Sequence, residues 1–200
     1  MKMIVITTEN SFEGEALVLN QLFERGMKIL HLRKPFASEE ELYTLLSQVN
    51  ERFHNRIVLH DQFSLLRSFH LKGVHLNRRN PIRPQQEPAS VSSSCHSLEE
   101  LENSNDFNYV FLSPVFDSIS KSGYTHAFTR EELQSAKAKG LINNKVIALG
   151  GISPETIPLV ADYGFGGIAV LGALWGDFPQ DKDKEALLKR FDNFNSFLYE

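Results

Sequence analysis

The pattern that decides the fold lies in residues 146–172, which read VIALGGISPETIPLVADYGFGGIAVLG. The apolar run Val146–Leu149 ends at two glycines, and a second run, Gly167–Val170, is soon followed by Gly172. The segment between the two runs has room for one helix. Continuous apolar runs of this length are typical of buried strands in a parallel sheet. Glycine after such a strand lets the main chain approach a ligand without a Cβ in the way.

The same alternation of short apolar runs and amphipathic segments extends along the whole chain. Regular alternation of strands and helices predicts a parallel sheet, and eight units favour its closure. We therefore expect residues 1–200 to form a single-domain (β/α)8 TIM barrel of the α/β class. A doubly wound open sheet is the alternative, but no G-x-G-x-x-G motif follows the first strand. The predicted strands are Met3–Ile6, Lys28–Leu32, Ile57–Leu59, Gly73–Leu76, Val91–Cys95, Tyr109–Leu112, Lys145–Leu149 and Gly167–Leu171.

The predicted helices are marked mainly by residues that cap an N-terminus. Ser38 with Glu41, and Ser97 with Glu100, have the spacing of a capping box. The proline-rich segment Asn77–Ala89 is expected to be a loop. The predicted helices are Gly14–Arg25, one that starts after Ser38 and runs to Phe53, Ser64–His70, one after Ser97, one after Thr129, one that starts at Ser153 and Pro154, and Lys182–Phe197.

Composition and charge exclude several classes of function. The 200 residues carry a net charge of −4, so the electrostatic footprint of a nucleic-acid-binding protein is absent. A single cysteine cannot form an internal disulfide. No apolar run is long enough to span a membrane, and no separate signal region precedes the first strand. We therefore expect a cytoplasmic protein whose partners include neither nucleic acid nor a membrane.

Polar residues just after each predicted strand are the first candidates for an active site. In a (β/α)8 barrel these positions meet at one face, where the glycines after strands seven and eight commonly hold a phosphate. Several basic and hydroxyl side chains meet at this face of an acidic protein, which favours a substrate with more than one phosphate. The candidates are His31, Arg33, Lys34, His60, Asp61, Asn77, Arg78, Asn80, Ser94, His96, Ser113, Ser118, Ser120 and Lys121.

Each candidate also has an ordinary structural explanation. Arg33 and Lys34 could be solvated loop charges, and Asp61 could cap the helix that follows it. His75 alternates with apolar neighbours and could point into the barrel as a polar core residue. The glycines could simply close tight turns. Their order and spacing along the chain favour the phosphate site.

An ordered set of motifs, each weak alone, runs nearly end to end. The motifs are HLRK at 31–34, HD at 60–61, GVHL at 73–76, SCHS at 94–97, SPVF at 113–116, Lys121, ALGGI at 148–152 and GIAV at 167–170. This set resembles the thiamine-phosphate synthase family and its relative, the thiazole tautomerase. The resemblance implies a transferase of thiamine biosynthesis that joins hydroxymethylpyrimidine diphosphate to hydroxyethylthiazole phosphate. Diphosphate leaves first, and the thiazole nitrogen attacks the pyrimidine cation.

The resemblance also implies a role for individual residues. It places Arg33, Ser94 and Lys121 on the leaving diphosphate as catalytic groups. It places Mg²⁺ on Asp61 and Asn80. It implies substrate binding by His31, Lys34, His60, Ser118, Ser120, Gly150, Gly151, Leu171 and Gly172, the last three through backbone N–H groups that contact the thiazole phosphate.

The sequence departs from the synthase pattern near the second and third strands. Synthases usually have Gln where His31 stands and Asn where His60 stands. A lysine of the pattern falls on Pro35, with Lys34 displaced by one position. The start of this region, with His31 two residues before an arginine, resembles the tautomerases instead.

The second metal-binding aspartate of the pattern aligns with Asn80. Loss of one carboxylate should weaken the binding of Mg²⁺, because this hard cation favours anionic oxygen ligands. Arg78 and Arg79, directly before Asn80, could replace part of the metal's charge.

Several functions therefore stay open at this point. A divergent synthase is the first interpretation. Pro114 stands where tautomerases have their histidine, so a tautomerase would need another base, such as His96. A paralogue that binds thiazole phosphate or thiamine phosphate without turnover is the non-enzymatic alternative. An unrelated phosphosugar isomerase would need a glutamate base at a strand end, and we find no convincing candidate. The Phe-rich last helix packs either on the barrel or on a second subunit, which leaves a homodimer open.

Overall fold

The computed structural model describes residues 1–116 and 128–199 of the chain. Within these ranges, eight parallel strands close into a barrel in the order of the sequence, and the last strand pairs with the first. The expected (β/α)8 TIM barrel is confirmed. The strands are β1 Lys2–Ile6, β2 Ile29–Leu32, β3 Ile57–Leu59, β4 Gly73–Leu76, β5 Val91–Cys95, β6 Tyr109–Leu112, β7 Val146–Leu149 and β8 Gly167–Val170.

Helices cover the outside of the barrel. Two of them begin at complete capping boxes, formed by Ser38 with Glu41 and by Thr129 with Glu132. Short 3₁₀ helices span Glu51–Arg56, Phe63–Arg67 and Pro154–Thr156. The described α-helices are α1 Glu15–Glu24, α2 Glu39–Gln48, α3 Leu98–Glu102, α4 Arg130–Ala138, α5 Ile157–Asp162, α6 Gly172–Trp175, α7 Phe178–Asp181 and α8 Lys184–Tyr199.

Two predicted helices are wrong in extent or type. The helix predicted to run to Phe53 ends at Gln48, because the next residue is extended and Asn50 starts a new turn. The Asn50 side chain accepts the backbone N–H of Arg52 and so caps a separate 3₁₀ helix. The segment predicted as a helix over Ser64–His70 is also a short 3₁₀ helix.

Apolar residues fill the space between the helices and the outer face of the barrel, with a smaller cluster inside. The inner cluster consists of Ile4, Ile6, Tyr109, Phe111, Ile147 and Ala169. On α8, Phe191 and Phe194 are buried in the core of this chain, whereas Phe197 is exposed. The barrel therefore covers most of the apolar face of the last helix, and a homodimer stays a prediction. No helix in the described ranges has the length and apolarity needed to cross a membrane.

The strand register brings polar side chains together inside the barrel. His75 of β4 pairs with Ser92 of β5, and Ser92 pairs in turn with Tyr109 of β6. Residues that pair across neighbouring strands lie on the same face of the sheet. These three side chains and His31 of β2 are all buried.

Candidate active site

A cavity of about 680 Å³ lies at the C-terminal ends of the strands. Its volume is in the range of small-molecule sites. The cavity is lined by aromatic rings, by apolar side chains and by arginines. The aromatic residues are His60, His75, His96, Phe107 and Phe111; the apolar ones include Ile6, Leu149 and Leu171; and the arginines are Arg33, Arg78 and Arg79.

Three buried histidines form a cluster of hydrogen bonds and ring contacts at the base of this cavity. His31 Nδ1 lies 2.8 Å from His60 Nε2, and His31 Nε2 lies 2.6 Å from the Tyr109 hydroxyl. His75 Nδ1 lies 2.9 Å from Ser92 Oγ. All four ring systems are connected to strands that converge here, so the cluster is set by the barrel itself.

The histidines of this cluster are neutral at neutral pH. Burial lowers the pKa of His31 and His60 well below its usual value, and the neighbouring His75 ring lowers both further. Burial also lowers the pKa of His75 to about 3. Burial raises the pKa of Tyr109, which therefore stays a phenol. The base of the cavity is polar but carries no charge.

The three imidazoles are close enough to suggest a metal centre, since a nitrogen from each lies within 4.8 Å of the others. Their orientation argues against one. The rings of His60 and His75 are stacked, with centroids 4.3 Å apart and planes 18° apart. Lone pairs lie in the plane of an imidazole, so two stacked rings do not point at a shared ion. Both nitrogens of His75 also have hydroxyl partners.

Ser94, a predicted catalytic residue, lies at the cavity and contacts this cluster. Its Oγ is 3.0 Å from Nε2 of His75. On the other side of the same ring, Ser92 lies 3.4 Å from the Val74 carbonyl oxygen, to which it can only donate. Ser92 then accepts from His75 Nδ1–H, and His75 Nε2 accepts the Ser94 hydroxyl. The lone pairs of Ser94 are left to face a ligand.

Arg33 and Lys34 are neighbours in sequence but lie in different environments. Arg33 lines the cavity, and its Nη1 is 2.5 Å from Glu9 Oε1. The Lys34 ammonium is fully buried, 2.6 Å from Glu15 Oε1 on α1. Burial lowers the pKa of Lys34 and raises that of Glu15, while their attraction opposes both shifts. The structure brings Arg33 to the cavity and places Lys34 in a buried ion pair outside its lining.

The two predicted metal ligands, Asp61 and Asn80, lie side by side. Asp61 is buried, and its Oδ1 accepts from Asn80 Nδ2 at 3.0 Å and from Arg79 Nη2 at 3.1 Å and Nε at 3.3 Å. The helix after Asp61 spans Phe63–Arg67 and has Gln62 at its N-cap position, so Asp61 is not its cap. Asn80 Nδ2 also donates to the carbonyl of His60 at 3.1 Å.

These residues do not fit a resident Mg²⁺. Mg²⁺ takes oxygen ligands in near-octahedral geometry and favours carboxylates. The one carboxylate of the predicted pair, Asp61, already accepts three N–H donors on a single oxygen. The amide of Asn80 directs its nitrogen rather than its oxygen to that carboxylate.

His96 also lines the cavity and has one defined tautomer. Its Nδ1 lies 2.9 Å from the carbonyl oxygen of Ser113, which can only accept. Nε2 therefore carries the lone pair in the neutral ring. The backbone N–H of His96 donates to Glu100 Oε2 at 2.7 Å. Glu100 thus binds His96 instead of closing the capping box predicted with Ser97.

The glycines of the predicted phosphate site differ in how closely other residues pack against them. Gly150 and Gly151 have φ values of 95° and 64°, which favour glycine. A Cβ on Gly150 would lie 2.8 Å from Pro114 Cβ, so this glycine allows two loops to pack closely. A Cβ on Gly172 would meet nothing within 4 Å. Leu171 lines the cavity directly before Gly172.

Other predicted residues are buried or lie outside the described ranges. His31 and His60 are both in the hydrogen-bonded cluster, and only His60 is among the residues that line the cavity. Ser118, Ser120 and Lys121 lie outside the described residues. Sequence reasoning missed Ser92 and Tyr109. The available signals were the run of three serines in β5 and a tyrosine hydroxyl in the otherwise apolar β6.

Comparison with known proteins identifies the family to which the chain belongs. The family profile described as thiamine monophosphate synthase matches residues 3–174. The chain belongs to the thiamine monophosphate synthase family. Members named thiamine-phosphate synthase include one from Lysinibacillus sphaericus (strain C3-41), which is 26% identical over 204 residues, covering 96% of this chain and 93% of that protein.

Two structures of proteins named thiamine phosphate pyrophosphorylase are similar to this one. The crystal structure of the Bacteroides thetaiotaomicron protein has a TM-score of 0.89 and 41% identity, covering 99% of this chain and 98% of the other. The Pyrococcus furiosus protein has a TM-score of 0.68 at 22% identity, covering 96% of this chain and 95% of the other, and supports the fold alone. The resemblance to the thiamine monophosphate synthase family is thus confirmed.

Proposed function

We propose that the protein is a thiamine-phosphate synthase, which couples hydroxymethylpyrimidine diphosphate to hydroxyethylthiazole phosphate. The observation that carries the proposal is one cavity with an aromatic base and three arginines in its lining. The rings of His60, His75 and Phe111 suit a flat heteroaromatic substrate. Arg33, Arg78 and Arg79 suit its diphosphate, because guanidinium groups bind phosphate oxygens in pairs.

The reaction needs a good leaving group, and a weak nucleophile is sufficient because the leaving group departs first. It does not need a strong base. The C–O bond to the diphosphate breaks, and its electron pair leaves with the diphosphate. The lone pair of the thiazole nitrogen then forms the new C–N bond. Arg33 and Ser94, with Lys121, would stabilise the charge that develops on the leaving group.

The remaining groups position the intermediate and the second substrate. The neutral imidazoles below the cavity do not repel a pyrimidine cation, and Leu149 and Leu171 exclude water from it. Backbone N–H groups at Gly151, Leu171 and Gly172 would bind the thiazole phosphate. The resemblance implies Mg²⁺, but the contacts of Asp61 make it a poor ligand, so this mechanism assigns no step to a metal held by the protein.

The direct test is a discontinuous assay for thiamine phosphate. Purified protein is mixed with both substrates, once with Mg²⁺ and once with a chelator, and the product is separated and quantified. Product in either condition supports the synthase. The absence of product in both conditions, together with measurable binding of thiazole phosphate, would contradict it and favour a binding paralogue.

A thiazole tautomerase is the second candidate, favoured by the geometry of His96. Its Nε2 carries a lone pair in a ring that lines the cavity, as a general base requires. If the protein is a tautomerase, His96→Gln abolishes isomerisation of the thiazole phosphate. If it is a synthase, the same variant retains coupling.

A further inference from the structure

The contact between Arg79 and Asp61 is the feature of the site that the proposed function leaves unexplained. We propose that the Arg79 guanidinium occupies the place of a divalent cation, so that this protein binds diphosphate without a metal ion. The inference rests on the proposed function in one respect, namely that the ligand of this cavity carries a diphosphate.

The hydrogen bonds of Asp61 are the first argument. Its side chain is only 9% exposed, and Arg79 approaches it through both Nε and Nη2. Nη2 also lies 3.4 Å from the second carboxylate oxygen, Oδ2. The guanidinium therefore spans the face of the carboxylate that a metal ion would need.

The charge of the site is the second argument. With Asn80 in the position of a second carboxylate, the two predicted metal ligands together carry the single negative charge of Asp61. One guanidinium balances one carboxylate, whereas a divalent cation would be left with excess charge next to Arg79. The amide of Asn80 is fixed by two acceptors, the His60 carbonyl and Asp61 Oδ1, and so reinforces Asp61 as an acceptor of N–H groups.

The position of Arg79 is the third argument. Its side chain is 44% exposed and lines the cavity together with Arg33 and Arg78. A guanidinium has five N–H donors, and Asp61 uses only those on Nε and Nη2. The donors on Nη1 remain for phosphate oxygens. Asp61 orients the guanidinium from the side away from the ligand, in the way that a hydrogen-bonded carboxylate often orients a metal-binding side chain.

A turn between two asparagines holds this arginine in place. Asn77 and Asn80 exchange backbone hydrogen bonds of 3.2 and 3.1 Å. The side-chain oxygen of Asn77 accepts the backbone N–H of Arg79 at 2.9 Å, and its amide nitrogen donates to the His60 carbonyl at 2.8 Å. The loop that carries Arg79 is therefore fastened to the segment that carries Asp61.

The first experiment measures the binding of inorganic diphosphate by calorimetry, in a chelator and again in Mg²⁺. The unmodified protein should bind in the chelator, with an affinity that Mg²⁺ changes by less than about threefold. Arg79→Gln should weaken binding in the chelator by about tenfold or more, since a hydrogen bond to a charged group is lost. Binding by the unmodified protein only when Mg²⁺ is present would overturn the inference, and so would no binding in either condition.

The matched control is Arg83→Gln. Arg83 belongs to the same proline-rich loop, but its Nη2 donates to the Asp106 carbonyl and it is not among the residues that line the cavity. The control should change binding by less than about twofold, the ordinary effect of a surface charge. Equal losses for Arg79→Gln and Arg83→Gln would overturn the inference. Circular dichroism of Arg79→Gln reports whether Asp61, left without its partner, disturbs the fold. The variant Arg79→Lys keeps the positive charge and should retain part of the affinity for diphosphate.

The second experiment rebuilds the carboxylate pair. The double variant Arg79→Gln, Asn80→Asp should bind diphosphate well only in Mg²⁺, because it has two carboxylates and no competing cation. Indifference of the double variant to Mg²⁺ would overturn the inference. The synthase assay separates the two proposals. Product that forms only with Mg²⁺ would support the synthase and reject the proposed role of Arg79. Metal-free binding of diphosphate without any product would support the role of Arg79 and reject the synthase.

Discussion

His75 Nε2 lies 3.0 Å from Ser94 Oγ, at the boundary between the buried histidine cluster and the open cavity. The ring is held on its other side by the buried Ser92, so the orientation of Ser94 is fixed from inside the barrel. The low pKa of His75, about 3, makes it a poor base for activating Ser94 as a nucleophile. Ser94 is thereby suited to bind rather than to attack.

Ser94→Ala should therefore reduce turnover without abolishing it. Loss of one hydrogen bond to a charged leaving group predicts a fall of about tenfold or more in kcat/KM. Steady-state kinetics of thiamine phosphate formation checks this. Ser47→Ala is the control, because the Ser47 hydroxyl donates to the Tyr43 carbonyl on α2, outside the cavity lining, and its loss should leave turnover nearly unchanged. A covalent intermediate trapped on Ser94 would contradict this role.

Lys121→Ala should abolish turnover while leaving the protein folded. The family resemblance places Lys121 on the departing diphosphate, where one lost cation costs about 100-fold or more in kcat. Kinetics and urea unfolding of the same preparation separate the two effects. Lys139→Ala removes an exposed lysine at the end of α4 and serves as the control. Unchanged activity of Lys121→Ala would show that the diphosphate is bound without it.

The buried pair of Lys34 and Glu15 should support the fold rather than the reaction. Lys34→Met leaves Glu15 buried without its partner, and we expect a loss of roughly 3–5 kcal/mol in the free energy of unfolding. The double variant Lys34→Met, Glu15→Leu removes both charges and should recover most of this loss. Urea unfolding checks both values. If the folded double variant fails to turn over, Lys34 binds substrate, as its sequence position predicts.

Acid should destabilise the protein through its buried histidines. The pKa values of His31, His60 and His75 lie below 6.5 in the folded state, so the unfolded state binds more protons once the pH falls below that value. Stability is therefore full at neutral pH and declines on acidification; His75, with its pKa of about 3, alone contributes a loss of about 2 kcal/mol at pH 5, and His31 and His60 add to it in the same direction. Urea unfolding between pH 7 and pH 5 measures the slope.

His31→Gln tests the origin of that slope, because glutamine keeps a hydrogen-bonding side chain but does not titrate. Its stability should fall less steeply with acid than that of the unmodified protein. His70→Gln removes an exposed histidine and should leave the slope unchanged. Identical slopes for all three proteins would locate the acid sensitivity elsewhere.

Gly150→Ala should destabilise the protein more than Gly140→Ala. Both glycines have positive φ, 95° and 73°, but a Cβ on Gly140 meets nothing within 4 Å. Gly140→Ala should cost about 1–2 kcal/mol from the backbone alone. At Gly150 the Cβ would also overlap Pro114, at 2.8 Å, so the loss is larger. Urea unfolding measures the loss in the free energy of unfolding for each variant. Equal losses would mean that the loop containing Pro114 moves away from the new Cβ without cost.

The strands were the most predictable part of the fold, and one helix boundary shows why prediction fails elsewhere. Each strand except the serine-rich β5 is mainly a short apolar run between polar loops, and Ile57–Leu59 agrees with its prediction at both ends. The helix predicted to Phe53 has apolar residues at helical spacing throughout, including Val49 and Phe53, which are both buried. The apolar periodicity therefore continues across a real break in the helix. At this break the Asn50 side-chain oxygen accepts the Arg52 backbone N–H, and the Asn50 N–H donates to the Asn20 side chain.

The sequence predicts which strand ends contribute to the candidate site. It does not predict which of their side chains come into contact. Arg33 and Lys34 follow the same strand, yet successive side chains point in opposite directions, and only the fold shows which one reaches the cavity. The pairing of Asp61 with Arg79 depends on a turn 18 residues later in the chain. No local sequence pattern predicts this contact. The position of Arg79 directly before Asn80 did indicate that an arginine could replace part of the charge of a metal ion.

The closure of β1 against β8 has a consequence for how the chain is synthesised. Trp175 donates its indole N–H to the Ile6 carbonyl at 2.7 Å, across a sequence separation of 169 residues. A chain emerging from the ribosome keeps one edge of its first strand unpaired until β8 has been translated. Such an edge can pair with other chains, so a paused nascent chain is exposed to aggregation. The cavity, which draws on nearly every strand end, comes into being only after the final strand is released.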